Sequence, residues 1–193
     1  MNKIITIGRE FGSGGRAIAK KVAEKLSIPC YDSEIIDEVA IKSGLLKEEI
    51  AKKGEHLSAT GKMSTIFTLY NLYSNMSKDD IIFHAQKKVI EELAEKGPCV
   101  IVGRCADYIL RERENVVKIF IYADKKAREE RIVKLYGENE ASAEKRIREK
   151  DKKRAAYYEH YTEMTWGAPA HYDICLSSST LGIDKCVEII TNL

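Results

Sequence analysis

The chain has 193 residues, 44% of them hydrophobic and 32% charged, with a formal net charge of +2. That length suits one α/β domain with insertions. A charge so close to neutral gives no argument for general nucleic-acid or membrane binding.

The first element is "KIITIG" (3–8), a short apolar run ending at Gly8, which predicts a buried strand. Residues 15–27 follow as a helix, with Ile18, Val22, Ala23 and Leu26 on one face and lysines on the other. "IPCY" (28–31) predicts a second short strand. "SEIIDEVAIKSG" (33–44) predicts a helix with Ser33 as a candidate N-cap and Gly44 at its end. "GPCVIVG" (97–103) and "NVVKIFIYA" (115–123) are strand patterns. Helices at 125–136 and near 141–158, a strand at 172–177 and a helix at 183–192 complete the pattern. Strands alternating with helices predict a parallel sheet covered on both faces, with ligands at the strands' carboxyl ends. Two segments stand outside the alternation. Residues 45–96 form a mostly helical insertion, and residues 137–171 hold the basic run "KRIREKDKKR" followed by "YYEHYTEMTWGAPAHY".

The first strand leads into "REFGSGGRAIAK", with Gly12, Gly14 and Gly15 crowded before a helix. Glycines let successive N–H groups turn inward as an anion nest, and the helix adds its positive end. The phosphate-loop pattern G-x-x-x-x-G-K-[ST] is incomplete here. In one register the lysine position is Gly15 and the hydroxyl position Arg16; in the other they are Arg16 and Ala17. Arg16 and Arg9 are the cations nearest the missing lysine, and Ser13 does not occupy the hydroxyl's place. A glycine turn made only for packing is the plain alternative.

Asp32 and Ser33 end the second strand, where a carboxylate can orient an acceptor or a metal-bound water, or cap a helix. Gly103-Arg104 and Asp107 end the third, placing an arginine where it can meet a phosphate, or pair with Asp107. The basic run is either a phosphate-facing helix or a solvated one, since Glu149 and Asp151 interleave with its cations.

Together these segments resemble the cytidylate kinase-like branch of the nucleoside monophosphate kinases over nearly the whole chain. "ITIGREFGSGGRAIAKKVAEKL" is similar to the family's opening strand, phosphate loop and first helix. "YDSEII" resembles its acceptor segment and "VGRCADYIL" its G-R…D segment. "KIFIYADKKAREERI" and "IREKDKKR" resemble the approach to the lid and the lid's basic helix. The resemblance implies a three-layer α/β/α fold with a five-stranded parallel sheet, of the P-loop kinase type, with helical acceptor-site and lid insertions in one domain spanning 1–193. It implies transfer from ATP with Mg2+ to a nucleoside monophosphate, CMP or dCMP. Gly12, Ser13, Gly14, Gly15 and Arg16 would hold the donor. Ser33, Arg104 and Asp107 would meet the acceptor. Arg16, Asp32, Arg128, Arg131 and Arg154 would act on the transferred group. Cytidylate kinases proper carry a Lys where this chain has Gly15 and Arg16, so a phosphate-binding regulatory module and a kinase of another small acceptor stand as alternatives.

The remaining signals are weaker. The stripe Ile66, Leu69, Tyr70, Tyr73 and Met76 would line an acceptor pocket, form a homodimer contact or cover the insertion's own core. His56, His84, His160 and His171 match no metal spacing. Trp166 beside "GAP" predicts a loop anchor. Five scattered cysteines without a C-x-x-C pair predict reduced thiols in a cytoplasmic protein. No leader is expected before the first strand, and no run approaches the ~20 apolar residues of a membrane span.

Overall fold

The structure is a computed structural model that describes residues 3–42, 77–137 and 141–193. Gly44, His56, the stripe from Ile66 to Met76 and most of the 45–96 insertion lie outside the described residues. The chain divides into two compact units, one formed by Met1–Ser33 and Leu93–Leu193 and the other by Glu34–Glu92.

The larger unit holds a five-stranded, all-parallel sheet. Its strands are β1 (Ile4–Arg9), β2 (Cys30–Tyr31), β3 (Val100–Val102), β4 (Val116–Tyr122) and β5 (Ile174–Ser177), in the order β2-β3-β1-β4-β5. Parallel strands buried on both faces read as largely apolar runs; β3 is wholly apolar, while β1 is interrupted by Thr6 and β4 by Lys118. Register is set by pairs such as Ile5 with Val100 and Val117. Because β3 lies beside β1, the chain leaving β1 and the chain leaving β3 open side by side at the sheet's carboxyl edge.

Helix α1 (Gly15–Leu26) follows β1 and buries Ile18, Ala19, Val22 and Ala23. It ends at Ser27, which is left-handed (φ 53°) and donates its N–H to Ala23 and Glu24 carbonyls. The C-terminal helix (Ile183–Thr191) packs beside it through Cys186, Val187 and Ile190, and both helices close on Ile5, Ile7, Val100, Val102, Ile119 and Ile121. On the opposite face Phe120 is buried against Trp166 and Tyr172, with ring centroids 5.5 Å and 4.9 Å away. Trp166 is therefore the loop anchor expected of it.

In the smaller unit, α2 (Ser33–Lys42) and α3 (Lys78–Glu95) are joined by Gln86 Nε2 donating to Asp37 Oδ1 at 2.8 Å. The start of α3 is capped reciprocally: Asp80 N–H donates to Ser77 Oγ and Ser77 N–H to Asp80 Oδ2. Helix α2 begins at Ser33 itself, which moves the capping position one residue earlier than predicted.

Four further helices belong to the larger unit. These are α4 (Ala106–Ile109), α5 (Lys125–Tyr136), α6 (Ala143–Thr162) and α7 (Ser178–Leu181); the C-terminal helix is α8. Helix α5 matches its predicted limits, and α6 runs four residues beyond its own. The short turns α4 and α7 were not expected, since four residues give no period to detect. Strand β3 is shorter than predicted because Gly97, at φ 134°, and Pro98 form the approach to it. Among the described residues no helix is long and apolar enough to cross a membrane.

Candidate active site

Between β1 and α1 the loop turns at Gly12 and Gly14, both at φ 80°, with Ser13 between them outside the left-handed region. A residue with a Cβ would cost about 1–2 kcal/mol at either glycine. Space also forbids one: a Cβ on Gly14 would stand 2.7 Å from Ile183 Cδ1, and one on Gly15 2.6 Å from Arg9 Cβ. Ser13 closes the turn, its N–H and hydroxyl both donating to Glu10 O at 3.3 and 2.9 Å. Ser178 Oγ donates to Ser13 O at 2.5 Å and ties the loop to the end of β5. The N–H groups of Gly12 and Gly14 have no hydrogen-bond partner among the described residues. Alternating backbone hands followed by a helix N-terminus make a concave donor set, which suits a phosphate.

The lid-side arginines predicted from sequence all reach this loop. Arg128 Nε donates to Phe11 O at 2.8 Å, and its guanidinium pairs with Glu10 at 3.1 Å and with Asp151. Asp151 in turn accepts the Phe11 N–H at 2.8 Å, and Glu10 accepts the Ala123 N–H at 3.0 Å. Arg131 donates to Gly12 O at 2.5 Å and Arg154 to Arg9 O at 3.0 Å. Arg128 is only 7% exposed, so its charge is committed to the brace. Arg16 pairs with Asp32 at 2.6 Å, its side chain 47% exposed and the carboxylate 6%. Glu10, the other carboxylate near Arg16 in sequence, is taken by Arg128 and Ala123.

Beside the loop opens a cleft of about 480 Å3, lined among others by Arg9, Ser33, Arg104, Lys150, Lys153 and Arg154. Asp107 is the one carboxylate among its lining residues. Arg9 Nη2 donates to Ser33 Oγ at 3.4 Å. Burial, with Arg154 and Arg104 close by, pushes the Arg9 guanidinium down to about 9. Burial foremost, with Arg128 and Arg104, lowers Arg154, and Asp151 opposes the shift. A base whose pKa falls in the fold is charged at a cost, and a bound anion removes that cost. Inorganic phosphate should therefore raise the thermal midpoint, by an amount equivalent to about 2.7 kcal/mol at a hundred times its dissociation constant. Differential scanning fluorimetry of phosphate against chloride at equal ionic strength checks this; identical midpoints would contradict it.

Arg104 enters the cleft from an unusual backbone. Gly103 (φ 77°), Arg104 (φ 54°) and Cys105 (φ 55°) are consecutive left-handed residues. The two non-glycine residues store roughly 1–2 kcal/mol each. The Arg104 guanidinium lies 5.5 Å from the Tyr157 ring centroid. Asp107 is buried and accepts the Tyr158 hydroxyl at 2.7 Å, so the alternative of a surface Arg104–Asp107 pair is not how this carboxylate is placed. Burial raises the Asp107 pKa, and the Tyr158 hydrogen bond opposes the rise. The Tyr172 hydroxyl, also buried, lies beside Tyr158 and Gly167 in hydrogen-bonding geometry with neither.

Sequence reasoning missed Lys150, Tyr157, Tyr158 and Tyr172. A signal existed for the first two. Lys150, Arg154 and Tyr157 fall at i, i+4 and i+7 on one face of α6, and all three line the cleft. Tyr172, predicted as the first residue of the strand at 172–177, lies two residues before β5 and outside any helix or strand.

A donor triphosphate fits the nest on the strength of the Gly12 and Gly14 donors. Mg2+ holds to one or two carboxylates plus substrate phosphates. Asp32 is the carboxylate at the right strand end, and it is shared with Arg16. Among the described residues no three His, Cys, Asp or Glu side chains gather as a metal cage.

The profile of the cytidylate kinase-like family matches residues 4–180. The chain belongs to the cytidylate kinase-like family. It is 30% identical to a cytidylate kinase of Archaeoglobus fulgidus, over 96% of this chain and 91% of that one. Among solved structures, an uncharacterised protein of Eubacterium ventriosum is 33% identical, with a TM-score of 0.75 over 98% of this chain and 96% of the other. A shikimate kinase of Bacteroides thetaiotaomicron is 14% identical with a TM-score of 0.53, over 100% and 98% of the two chains, and shows the shared fold. Family membership makes the chain a kinase of nucleotides or other small molecules, and its α/β fold is that of the P-loop kinases. The lysine-free glycine loop lies within the matched residues.

Proposed function

We propose that the chain transfers a phosphoryl group from ATP, with Mg2+, to a nucleoside monophosphate, CMP or dCMP first among them. The observation that supports this most is the cationic cleft beside the glycine loop, with Arg9, Arg104 and Arg154 converging where strand ends β1 and β3 meet. Phosphoryl transfer needs positioning and positive charge more than covalent chemistry. Gly12, Ser13, Gly14 and Gly15 hold the donor phosphates, and Arg16 extends over them. Arg104 and Ser33 bind the acceptor phosphate, with Asp107 behind Arg104. Arg131 and Arg154 neutralise the transferred group, while Arg128 acts through the loop it braces. Asp32 orients the metal or the acceptor. In this reading residues 1–193 work as one domain, with 45–96 on the acceptor side and 137–171 as the lid. The five unpaired thiols suit a cytoplasmic protein. A homodimer through the Leu69–Tyr73 stripe belongs to the same proposal.

A panel of nucleoside monophosphates with ATP and Mg2+, read by ADP release, tests the reading. Release dependent on CMP or dCMP above all others is the expected result. Release with none of them, alongside tight ATP binding, would favour a regulatory nucleotide-binding module, a reading that the missing loop lysine keeps open.

Arg16 has a separate expected outcome. A charge-assisted contact contributes about 1.5–3 kcal/mol, or roughly ten- to a hundredfold. Arg16→Ala should weaken ATP binding by that order, and Arg16→Lys should recover part of it. Unchanged ATP affinity in a folded Arg16→Ala protein would leave Arg16 as a partner of Asp32 alone.

A further inference from the structure

Asp107 lies in a short segment that lines the cleft and is bonded to another helix. Its carboxylate is buried and accepts the Tyr158 hydroxyl at 2.7 Å. Tyr158 is itself buried and sits on α6, the helix that also presents Lys150, Lys153, Arg154 and Tyr157 to the cleft. Asp107 stands three residues after Arg104, immediately past the left-handed turn of Gly103, Arg104 and Cys105. That turn has its own local bonds: Gly103 N–H donates to Ile7 O at 3.1 Å, Ala106 N–H to Gly103 O at 3.1 Å and Ile109 N–H to Cys105 O at 2.8 Å. Backbone held in a sparsely populated region persists only where its surroundings over-determine it. The backbone bonds secure the turn to β1 and to α4. The Asp107–Tyr158 bond links this segment to α6 by a buried side-chain hydrogen bond, beside the contact of Arg104 with the Tyr157 ring.

We propose that the Tyr158–Asp107 hydrogen bond is a tether that holds the left-handed Gly103–Cys105 turn against α6 and so sets where Arg104 stands relative to the cations of that helix. Asp107 and Tyr158 are positioning residues: neither touches the acceptor, and both act through Arg104. Both residues border the cleft yet are only 6% and 5% exposed, and the Tyr158 hydroxyl and the Asp107 carboxylate are engaged with each other, which suits support of Arg104. The ligand class follows from the proposed kinase reading, on which this inference rests for its functional consequence. A phosphomonoester needs Arg104 and Arg154 at a fixed separation, since a guanidinium fork grips phosphate with directional bonds.

Native-state hydrogen exchange on the full chain tests the tether without any ligand. Tyr158→Phe keeps the ring and removes only the hydroxyl. Exchange at residues 103–110 should speed about tenfold while β1 and β4 hold their protection, the pattern of local and not global opening. Asp107→Ala should do the same, and Asp107→Asn, which retains a carbonyl acceptor for Tyr158, should recover most of the protection. Unchanged exchange at 103–110 in Tyr158→Phe overturns the tether, and so does acceleration spread evenly over the sheet. Calorimetric titration with CMP then separates this inference from the kinase reading. With the tether supported by exchange, Tyr158→Phe should weaken CMP binding about tenfold and leave ATP binding unchanged. Wild-type protein that binds no CMP counts against the acceptor reading, while the exchange result still decides the tether.

Discussion

Replacing Arg128 with methionine should destabilise the protein by about 3 kcal/mol, because it removes the cation that Glu10 and Asp151 share in a poorly solvated place and leaves Asp151 only Arg154 at 3.9 Å. Methionine keeps most of the volume, so the loss reports charge and hydrogen bonding and not a cavity. Arg128 is 7% exposed, and its partners Asp151 and Glu10 have side chains 17% and 25% exposed. Partial exposure of the partners is why the expected value sits at the low end for a broken buried pair. At about 2–4 °C per kcal/mol for a chain of this size, the thermal midpoint should fall by roughly 6–12 °C. The loop suffers beyond its share of stability. Arg128 holds Phe11 O, and Asp151 holds Phe11 N–H, so the residue before Gly12 is gripped on both sides. ATP affinity should therefore fall even at temperatures where the variant is folded. Thermal unfolding and ATP titration on one preparation check both parts. A midpoint within 2 °C of wild type would show that the network contributes little and that Arg128 is free to serve the transferred phosphate directly.

The parts of the site written in local order were legible, and the parts assembled by the sheet were not. Gly12, Gly14 and Gly15 announce a loop because glycine spacing between a strand and a helix is a local pattern. The two left-handed glycines fulfil it. Arg104 was legible because Gly103-Arg104 follows an apolar run that can only be a buried strand. The direction in which Arg128, Arg131 and Arg154 point was not. From "KKAREERI" and "KDKKR" they read as cations waiting for a phosphate. In the structure they donate to the backbone of the glycine loop and of the strand end before it, two of them from α5 and one from α6, and Arg154 also lines the cleft. That depends on how two helices meet a loop more than a hundred residues away in sequence. From the sequence Asp107 reads as meeting the acceptor, with a local pair to Arg104 as the plain alternative, and the partner that it takes is Tyr158, 51 residues on.

Arg104→Ala and Arg104→Gly should both abolish most acceptor binding, and they should differ in stability with glycine the more stable. A guanidinium fork on a phosphate makes two charge-assisted bonds, together about 3 kcal/mol or more. Losing them should raise the KM for the monophosphate on the order of a hundredfold. Neither variant can supply the fork, so on this readout they should agree. Stability separates them because of the backbone. Arg104 sits at φ 54° between Gly103 at φ 77° and Cys105 at φ 55°. Alanine keeps a Cβ and with it the strain of the left-handed region, while glycine removes about 1 kcal/mol of that strain. Glycine also gains freedom in the unfolded chain, which offsets part of the benefit. Relief of repulsion with Arg9, which lies close enough for Arg104 to lower its pKa, favours both variants equally. Arg104→Gly should thus match or exceed the wild-type midpoint, with Arg104→Ala a few degrees below it. A strained residue kept at the expense of stability is expected where function demands a particular direction of the side chain. Equal midpoints for the two variants would mean that the turn relaxes once Arg104 is gone. Undiminished acceptor turnover in either would remove Arg104 from the binding site altogether.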